Sequence, residues 1–599
     1  MADREKNRLV QLIAGSWNAL GDQKRSFFNF VMLFVLAYTT ELLVPWAIGY
    51  TIGVFVQYGF TQEAYDKGLF GISLFLTFRL LNVLFHHIGR YMQYKVAFSA
   101  KFDELTRIFT LLLEYGLQWH VKTHSGDNLA KLQRSALAVN NVVGQYTWQV
   151  IDGFVKVLLA SVALFALDLI VAINVILTSF FTIVVMIYVN RQMAIYLKHN
   201  YLFENRVNRV CVDFLTNIST VKTLAFERYA RKRLIINKPE GERYARRISR
   251  LSELKWGAIN LGYAGVTASS LLIYLYRRGA STEAFDVAQV YVLISYLDKI
   301  FAAISSFTSY FGGIVESYTA YEDATELSKG PRVQVLPSLR ATQNGDWTRI
   351  TLKQLSFSYI AGEKGLRNIN LDVRHSGKIA LIGLSGGGKS TLLKILSGAV
   401  PPRHYQLEID NRKGTIDELS AMSLLIPQEP QIFSDTLMNN LLMGDEIEHE
   451  KLEFFMRLCR FDALVDKLPQ RWDTDLAANG LNLSGGEKQR IAMARGLLRA
   501  HKKEILLLDE PTSSLDPKTE SEIIIGTFQH FKHKTIIASC HRWSLLPLFD
   551  EVVRLEDGEV KERGYPEEFV RRSGHFFNSL KDFRGEATLE RLKEASSYL

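Results

Sequence analysis

Long apolar runs fill the first half of the chain, and shorter runs that alternate with polar residues fill the second half. Phe27 to Gly59 contains a single charged residue, Glu41, and Trp256 to Tyr276 contains none. A run of about 18 or more apolar residues is long enough to cross a bilayer as a helix. The pattern predicts six spans, near residues 27–58, 68–96, 146–167, 169–191, 256–276 and 287–318.

The charges between the spans predict the orientation. With both chain ends inside, the inner segments hold twenty-seven Lys and Arg residues and the outer segments hold three. Cytoplasmic loops of membrane proteins collect Lys and Arg, so we expect the N-terminal segment and the two long connections, 90–145 and 191–255, to lie in the cytosol. Runs this long with this charge asymmetry argue against the buried core helices of a soluble protein.

The composition adds little beyond this division. The chain has 599 residues, a length that fits two to four domains. Its net charge is +9. Basic loops beside membrane spans account for the charge, so we expect no nucleic-acid partner. Three cysteines, all in predicted cytosolic segments, imply no disulfide framework. The first 26 residues lack a short apolar core before a cleavage site, so we expect no cleavable signal peptide.

The pattern also predicts domain boundaries. We expect a cytosolic N-terminal segment over 1–26, a six-helix membrane domain over 27–320 and a linker with Pro and Gly breakers over 321–350. From 351 to 585 short β-rich runs alternate with helices, which predicts an α/β domain, and 586–599 forms a tail.

A phosphate-binding loop follows the first buried strand of the second half. Ile379–Ile382 reads as that strand, Gly383-Leu-Ser-Gly-Gly-Gly-Lys-Ser390 follows it, and a helix begins at Thr391. Glycines let backbone N–H groups converge on phosphate oxygens, and a helix N-terminus adds positive potential. We expect Lys389 to contact the β- and γ-phosphates and Ser390 to offer its hydroxyl to Mg²⁺.

Two adjacent carboxylates end a second buried strand, Ile505-Leu-Leu-Leu-Asp-Glu510. We expect Asp509 to hold Mg²⁺ through water. Glu510 can act as the general base for an attacking water. Taken alone, the pair could equally be two solvated acids at a strand end.

Between these strands lies Leu483-Ser-Gly-Gly-Glu-Lys-Gln-Arg490, which resembles the LSGGQ signature of ATP-binding-cassette (ABC) proteins, with Glu487 in place of the usual Gln. The resemblance implies roles for residues in the same order: Tyr359 stacks on adenine, Gln428 reaches the metal, and His541 contacts the γ-phosphate. Ser513-Ser-Leu-Asp516 resembles the D-loop. The implied catalytic residues are Glu510, His541 and Gln428, and the implied metal-site residues are Ser390, Gln428 and Asp509. The implied ATP contacts are Tyr359, Gly383, Ser385, Gly386, Gly387, Gly388, Lys389, Ser390, Thr391, Ser484, Gly485, Gly486 and Asp516.

Six spans before one such domain resemble an ABC exporter of the type IV half-transporter arrangement. The resemblance implies a membrane α-helical domain with long cytosolic extensions, then an α/β P-loop ATPase domain with an α-helical subdomain. It also implies ATP and Mg²⁺ as cofactors and a second half-transporter as partner, with each ATP bound between two chains. A homodimer in a bacterial inner membrane is the simplest arrangement.

The transported cargo is less constrained. Arg79, Lys156 and Lys299 lie inside predicted spans, where ionisable residues are costly and often functional. They could line an electropositive cavity for an amphipathic or lipid-like substrate, or they could pair with acids on neighbouring helices. The sequence leaves open the competent half of a heterodimeric exporter and an ATP-gated channel or regulator. A soluble nucleic-acid factor and an importer fit less well, because the spans and the ATPase domain are fused in one chain.

Overall fold

The computed structural model describes residues 2–571 apart from 124, 280–285, 329, 331–346, 360–364 and 477–482. The chain divides into two compact units, Met1–Tyr115 with Trp119–Pro331, and Gly116–Gln118 with Arg332–Leu599. Six helices of the described first unit are long and apolar enough to cross a membrane. The six predicted spans are therefore confirmed in number and order. The predicted tail, 586–599, and most of the predicted linker lie outside the described residues.

Helices make up the described first unit, and polar residues begin several of them. Thr61 and Asp168 each accept hydrogen bonds from backbone N–H groups of the helix that follows, which satisfies donors that a helix start leaves free. The helices are α1 Ala2–Ala19, α2 Lys24–Tyr58, α3 Gln62–Leu113, α4 Leu117–Lys122, α5 Ser125–Asn141, α6 Thr147–Leu167, α7 Leu169–Thr216, α8 Ile218–Thr223, α9 Glu227–Ile235, α10 Lys238–Gly279 and α11 Val287–Leu327. A π-helical stretch, Val142–Tyr146, joins α5 to α6.

Several of these helices continue well past their apolar segments. Helix α3 has 52 residues and α7 has 48, whereas a bilayer core needs about 20. At about 1.5 Å per residue, α3 is roughly 78 Å long. The two long connections predicted from the sequence are thus largely helical in their described residues, and each begins as a continuation of a spanning helix, α3 or α7.

A single residue connects α6 to α7. The Asp168 carboxylate accepts hydrogen bonds from the N–H groups of Ile170 at 2.8 Å and Val171 at 3.0 Å. Its other oxygen lies 3.4 Å from Nε of Arg277 on α10. Asp168 therefore both ends one helix and caps the next.

The described second unit is an α/β domain with two sheets. Its strands are β1 Arg349–Phe357, β2 Leu366–Arg374, β3 Lys378–Ile382, β4 His404–Ile409, β5 Arg412–Lys413, β6 Ser423–Ile426, β7 Ile505–Asp509, β8 Thr535–Ser539, β9 Glu551–Glu556 and β10 Glu559–Gly564. Its helices are α12 Lys389–Leu396, α13 Ile416–Met422, α14 Leu437–Leu442, α15 His449–Leu458, α16 Asp462–Val465, α17 Gly485–Ala500, α18 Pro517–His530 and α19 Pro566–Arg571.

The six-stranded sheet positions the candidate site. Its order is β10-β9-β3-β8-β7-β6, and β3, β8 and β7 are parallel neighbours. All five residues of each of these three strands are buried, as expected for central strands of a parallel sheet. Because carboxyl ends of parallel strands share one edge, the segments that follow β3, β7 and β8 meet there.

Two apolar cores flank this sheet within the second unit. One lies between the six-stranded sheet and the four-stranded antiparallel sheet, β2-β1-β4-β5, and includes Ile350, Leu381 and Leu393. The other includes residues of α14, α15, α17 and α18, such as Phe455 and Leu497. The helices of the second core form the helical part of the domain, so the predicted fold class is confirmed for both units.

Candidate functional site

The loop Gly383–Ser390 connects β3 to α12 and requires glycine at several positions. Gly383, Gly386 and Gly388 have φ of 140°, 83° and 104°, where side chains are strained. A Cβ at Gly383 would lie 2.0 Å from the carbonyl oxygen of Leu555 on β9. The loop therefore keeps its shape only with these glycines, and it leads directly into α12.

Lys389 is the first residue of α12 and is only 5% exposed. Its Nζ donates hydrogen bonds to the carbonyl oxygens of Gly383 at 2.9 Å and Leu384 at 3.2 Å. Burial lowers the pKa of Lys389, and the nearby carboxylates of Glu510 and Asp509 oppose that shift. The ammonium group thus lies inside the loop, at the place where a phosphate would be bound. Ser385 is exposed in the loop and Thr391 is half-buried one residue past Ser390.

A hydroxyl and a carboxylate meet beside this loop. Ser390 Oγ donates to Asp509 Oδ1 at 2.9 Å, and Ser539 Oγ donates to the same oxygen at 3.0 Å. Asp509 is 2% exposed at the end of β7. Two of the three predicted metal-site residues, Ser390 and Asp509, are therefore in direct contact, although they are 119 positions apart in the sequence.

The three predicted catalytic residues also meet at this edge. Glu510 Oε1 lies 2.5 Å from His541 Nε2, and Gln428 Nε2 donates to Glu510 Oε2 at 3.1 Å. Glu510 has a φ of 45°, an uncommon conformation for a residue other than glycine. Its N–H donates to Ser539 Oγ at 2.9 Å. This conformation explains how two consecutive acids reach different partners, Ser390 for Asp509 and His541 for Glu510.

The signature turn, Ser484–Gly486, begins α17. Ser484 Oγ accepts a hydrogen bond from the Glu487 N–H at 3.3 Å, and the Glu487 carboxylate accepts one from the Ser484 N–H at 2.8 Å. This reciprocal pair is a capping box, in which Gln and Glu serve equally well at the third helical position. The departure from the family pattern at Glu487 therefore preserves the local structure. Ser484 and Gly485 are exposed.

Asp516, the last residue of the D-loop segment, caps α18. Its Oδ1 accepts from the N–H groups of Lys518 at 3.1 Å and Thr519 at 3.0 Å. The hydrogen bonds from Thr519 and Lys518 hold the pKa of Asp516 below its ordinary value. The Asp516 carboxylate thus caps the start of α18, and its expected contact with ATP stays a prediction.

Tyr359 lies at the edge of the domain, two residues past the end of β1. It is 44% exposed, and the Phe357 ring packs edge-on against it with centroids 4.9 Å apart. Its neighbours 360–364 lie outside the described residues. The exposed ring face is compatible with the predicted stacking on adenine.

Two of the three cations predicted for an electropositive cavity are paired with acids. Lys156 Nζ lies 2.6 Å from Asp152 Oδ1 and 3.4 Å from Glu41 Oε2, and Lys299 donates to the other oxygen of Glu41. This membrane cluster joins α2, α6 and α11 and carries two charges of each sign, so it is not electropositive. Arg79 is exposed, and no ion pair is found for it in the described part of the chain. The pairing was the alternative interpretation of the sequence, and a role in cargo binding stays a prediction.

Sequence reasoning missed several residues that organise the site. Gln489 on α17 donates to Ser513 Oγ at 3.0 Å and accepts from the Ser514 N–H at 2.7 Å, which connects the signature helix to the D-loop segment. Ser539 contacts both Asp509 and Glu510. Ser539 lies two residues before His541 on a buried strand, and that proximity was the one available signal. The sequence gives no comparable signal for Gln489, because a glutamine inside a helix is common.

Two known families match the chain. Residues 27–312 match the ABC transporter transmembrane region, and residues 366–513 match the ABC transporter family.

Individual relatives match over most of the chain. The mouse ATP-binding cassette sub-family B member 6 is 26% identical over 559 residues, which are 88% of this chain and 62% of that protein. The mitochondrial iron-sulfur clusters transporter ATM1 of Yarrowia lipolytica is 24% identical over 93% of this chain and 77% of its own length. A solved structure of a bacterial Atm1-family ABC exporter with ATP bound shares the fold, with a TM-score of 0.81, 22% identity and coverage of 94% of this chain and 99% of that one.

Proposed function

Because the chain belongs to the ABC transporters and has the half-transporter arrangement of their exporters, we propose that two copies of it assemble and export a cargo from the cytosol. The chain is a multi-pass membrane protein whose ATPase domain couples ATP hydrolysis to transport. The observation that carries the proposal is the meeting of Glu510, His541 and Gln428 beside the phosphate loop. It supports a hydrolytic role for these three residues.

ATP would bind with its phosphates in the loop Gly383–Ser390, against the ammonium group of Lys389. The residues beside it suit Mg²⁺, since the Ser390 hydroxyl and the Asp509 carboxylate are hard oxygen ligands already 2.9 Å apart. Gln428 would add an amide oxygen. The ion would neutralise charge on the phosphates, while these side chains hold it in place. Tyr359 would stack on the adenine.

Hydrolysis would use Glu510 as the base for the attacking water. His541 and Gln428 hold the two carboxylate oxygens, which orients the group before the water is activated. The acid is 15% exposed and the histidine 47% exposed, so the pair is accessible to water and to a phosphate.

The second half of each ATP site would come from the partner copy. The N-terminus of the 16-residue α17 is exposed at Ser484 and Gly485, and helix N-termini attract phosphate. We propose that this turn binds the ATP held by the Lys389 loop of the other chain. ATP then stabilises the closed pair, because its phosphates contact both copies.

For the cargo, we propose a polar compound related to iron–sulfur or heavy-metal handling, in preference to the lipid-like substrate expected from the sequence. The names of the Yarrowia relative and of a similar ATM1-type heavy metal exporter of Novosphingobium aromaticivorans suggest this class. The membrane cluster supports this choice, because Glu41, Asp152, Lys156 and Lys299 give the spans a polar interior that suits a polar cargo. Cadmium presented with a small thiol should stimulate ATPase activity in nanodiscs. A fluorescent phospholipid that stimulates instead would restore the lipid-like substrate.

We place the protein in a bacterial inner membrane, with the ATPase domain and both termini in the cytosol. The twenty-seven to three distribution of Lys and Arg supports the orientation, and the bacterial exporter of the same fold supports the membrane. Protease added to inside-out vesicles should cleave the second unit, and protease added to intact spheroplasts should leave it whole.

The Glu510→Gln protein tests the assembly. In nanodiscs with ATP and Mg²⁺, native mass spectrometry should give a complex of about twice the 68.2 kDa chain. A persistent single chain would instead indicate a heterodimeric exporter whose other half is missing. Ion conductance that needs no ATP hydrolysis would favour a gated channel.

A further inference from the structure

Glu520 is a buried carboxylate of the second unit, and the proposed binding and hydrolysis of ATP do not use it. Glu520, in the first turn of α18, is 7% exposed. Its Oε1 accepts a hydrogen bond from Thr512 Oγ1 at 3.0 Å, and its Oε2 lies 2.6 Å from Nε of Arg542. Thr512 is itself 2% exposed. Both oxygens of this acid are therefore engaged by side chains of other segments.

Those two partners belong to the segments that carry the proposed chemistry. Thr512 lies two residues after Glu510, and Arg542 directly follows His541. Arg542 also reaches the D-loop segment, since its Nη2 donates to the carbonyl oxygen of Leu515 at 3.0 Å. One arginine thus connects the histidine segment to the D-loop segment, and Glu520 fixes that arginine.

Glu510, Thr512, Glu520, His541 and Arg542 line one cavity behind the candidate site. The loop after Glu510 is otherwise held by short-range bonds, from the Ser513 N–H to the Glu510 carbonyl at 3.2 Å and from the Leu515 N–H to the Thr512 carbonyl at 3.0 Å. On its other side Gln489 holds the same loop from α17. Glu520 and Arg542 supply the support from the histidine side.

Stability alone does not account for such a pair. The Glu520 side chain is 10% exposed and that of Arg542 30%, and removing such charges from water costs desolvation energy that offsets much of their attraction. What the pair provides is position, because the 2.6 Å ion contact at Nε holds the guanidinium group while its Nη2 donates to the Leu515 carbonyl oxygen.

We propose that Glu520 is a positioning residue for ATP hydrolysis, which acts through Arg542 and Thr512 to hold the D-loop segment and the Glu510–His541 pair in one fixed arrangement. The same bonds that place His541 against Glu510 then also set the D-loop conformation presented to the partner copy. Disturbing Glu520 slows turnover and leaves the binding of ATP to the Lys389 loop intact. The inference rests on the proposed roles of Glu510 and His541.

The test compares four variants of the full chain in lipid nanodiscs by kcat and KM for ATP, with the melting temperature as a check on folding. Glu520→Gln keeps an oxygen for Thr512 but loses the charge that fixes Arg542. Glu522→Gln, on the same helix as Glu520, is the matched control, because it breaks an exposed 3.0 Å pair with Arg460, which follows α15. The Glu520→Gln/Arg542→Lys double variant tests coupling. Thr512→Val perturbs the network without leaving a charge unpaired, so it serves if Glu520→Gln folds poorly.

We expect Glu520→Gln to lower kcat about 10-fold, which corresponds to one lost charge-assisted contact, with KM within about 2-fold of wild type. Glu522→Gln should match the wild type, Thr512→Val should lower kcat several-fold, and the double variant should be no slower than Glu520→Gln alone. Turnover of Glu520→Gln equal to that of Glu522→Gln, or a rise in KM equal to the fall in kcat, would overturn the proposal. Glu510→Gln is measured alongside. If it turns over like wild type, the proposed hydrolytic site itself fails, and if it is inactive, any failure belongs to Glu520 alone.

Discussion

His541 Nε2 lies 2.5 Å from Oε1 of Glu510, and that contact joins two segments 31 positions apart in the sequence. It forms because β7 and β8 are adjacent and parallel, so the residues that follow them emerge at one edge of the sheet. The second oxygen of Glu510 accepts from Gln428. The carboxylate is therefore oriented from both sides, as a base must be before its water arrives.

Glu510→Gln should remove the base and keep the binding site. An amide has nearly the shape of a carboxylate but cannot accept a proton from water, so kcat should fall by about 10²–10⁴-fold. Binding of ATP should be retained, as measured by fluorescence titration with a labelled nucleotide. Turnover at the wild-type rate would remove Glu510 from the base role.

Lys389 should make ATP capture sensitive to alkaline pH. Burial lowers its pKa below the ordinary 10.5, and the protonated form is the one that attracts phosphate. Capture is therefore complete below that pKa and is lost as the pH rises through it, so the midpoint of the fall in kcat/KM for ATP should lie below pH 10.5. Lys389→Ala should lose measurable binding at every pH. An alanine variant with unchanged affinity would contradict the phosphate-loop assignment.

Glu487 can be tested by two substitutions that separate its charge from its hydrogen bonds. Glu487→Gln keeps the capping box, so ATPase activity and melting temperature should stay as they are. Glu487→Ala leaves the Ser484 N–H without its partner and should cost about 1 kcal/mol, typical of a lost helix cap. If the glutamine variant lost activity as the alanine variant does, the charge and not the cap would be what matters.

Glu41 should matter for stability more than Arg79 does. Glu41→Gln leaves Lys299 without a carboxylate partner inside the spans, and orphaned charges of this kind are destabilising. We expect a melting temperature several degrees lower in detergent, largely recovered in the Glu41→Gln/Lys299→Gln double variant.

Arg79→Gln serves as the control for that measurement, because no ion pair is found for Arg79 in the described residues. Its melting temperature should match the wild type. If Arg79 touches cargo, the Arg79→Gln variant should need a higher cargo concentration for stimulation of its ATPase activity.

A Glu41→Gln/Lys299→Gln variant no more stable than Glu41→Gln alone would show that the Glu41–Lys299 pair does not hold the membrane cluster together.

The sequence predicted best where one residue type serves one physical requirement over a short stretch. Apolar runs predicted six spans, and the glycines before Lys389 predicted a phosphate loop, which the positive φ angles of Gly386 and Gly388 explain. For Asp509 and Glu510 the local pattern was not sufficient, because two acids at a strand end could equally be solvated. The family resemblance implied that they share one site with Ser390, and Ser390 does contact Asp509.

Contacts between distant segments could not be predicted in this way. Lys299 and Glu41 are 258 positions apart, and nothing local distinguishes a paired lysine from one that lines a cavity. The contact of Gln489 with the D-loop segment, and the double engagement of Glu520, likewise depend on how α17 and α18 pack. The family resemblance implied that the membrane helices have long cytosolic extensions, but the end of α3 at Leu113 could not be predicted. A polar helix has no apolar period that marks where it ends.

The one-residue link at Asp168 has a consequence for motion. A connection this short, closed by two hydrogen bonds to the next helix and by Arg277, has no slack. The ends of α6 and α7 that meet at Asp168 are therefore held together, and any relative motion of the two helices is a rotation about that end. Any displacement that transport demands between them must grow with distance from that end, so the 48-residue α7 converts a small change of angle into a large travel at Thr216.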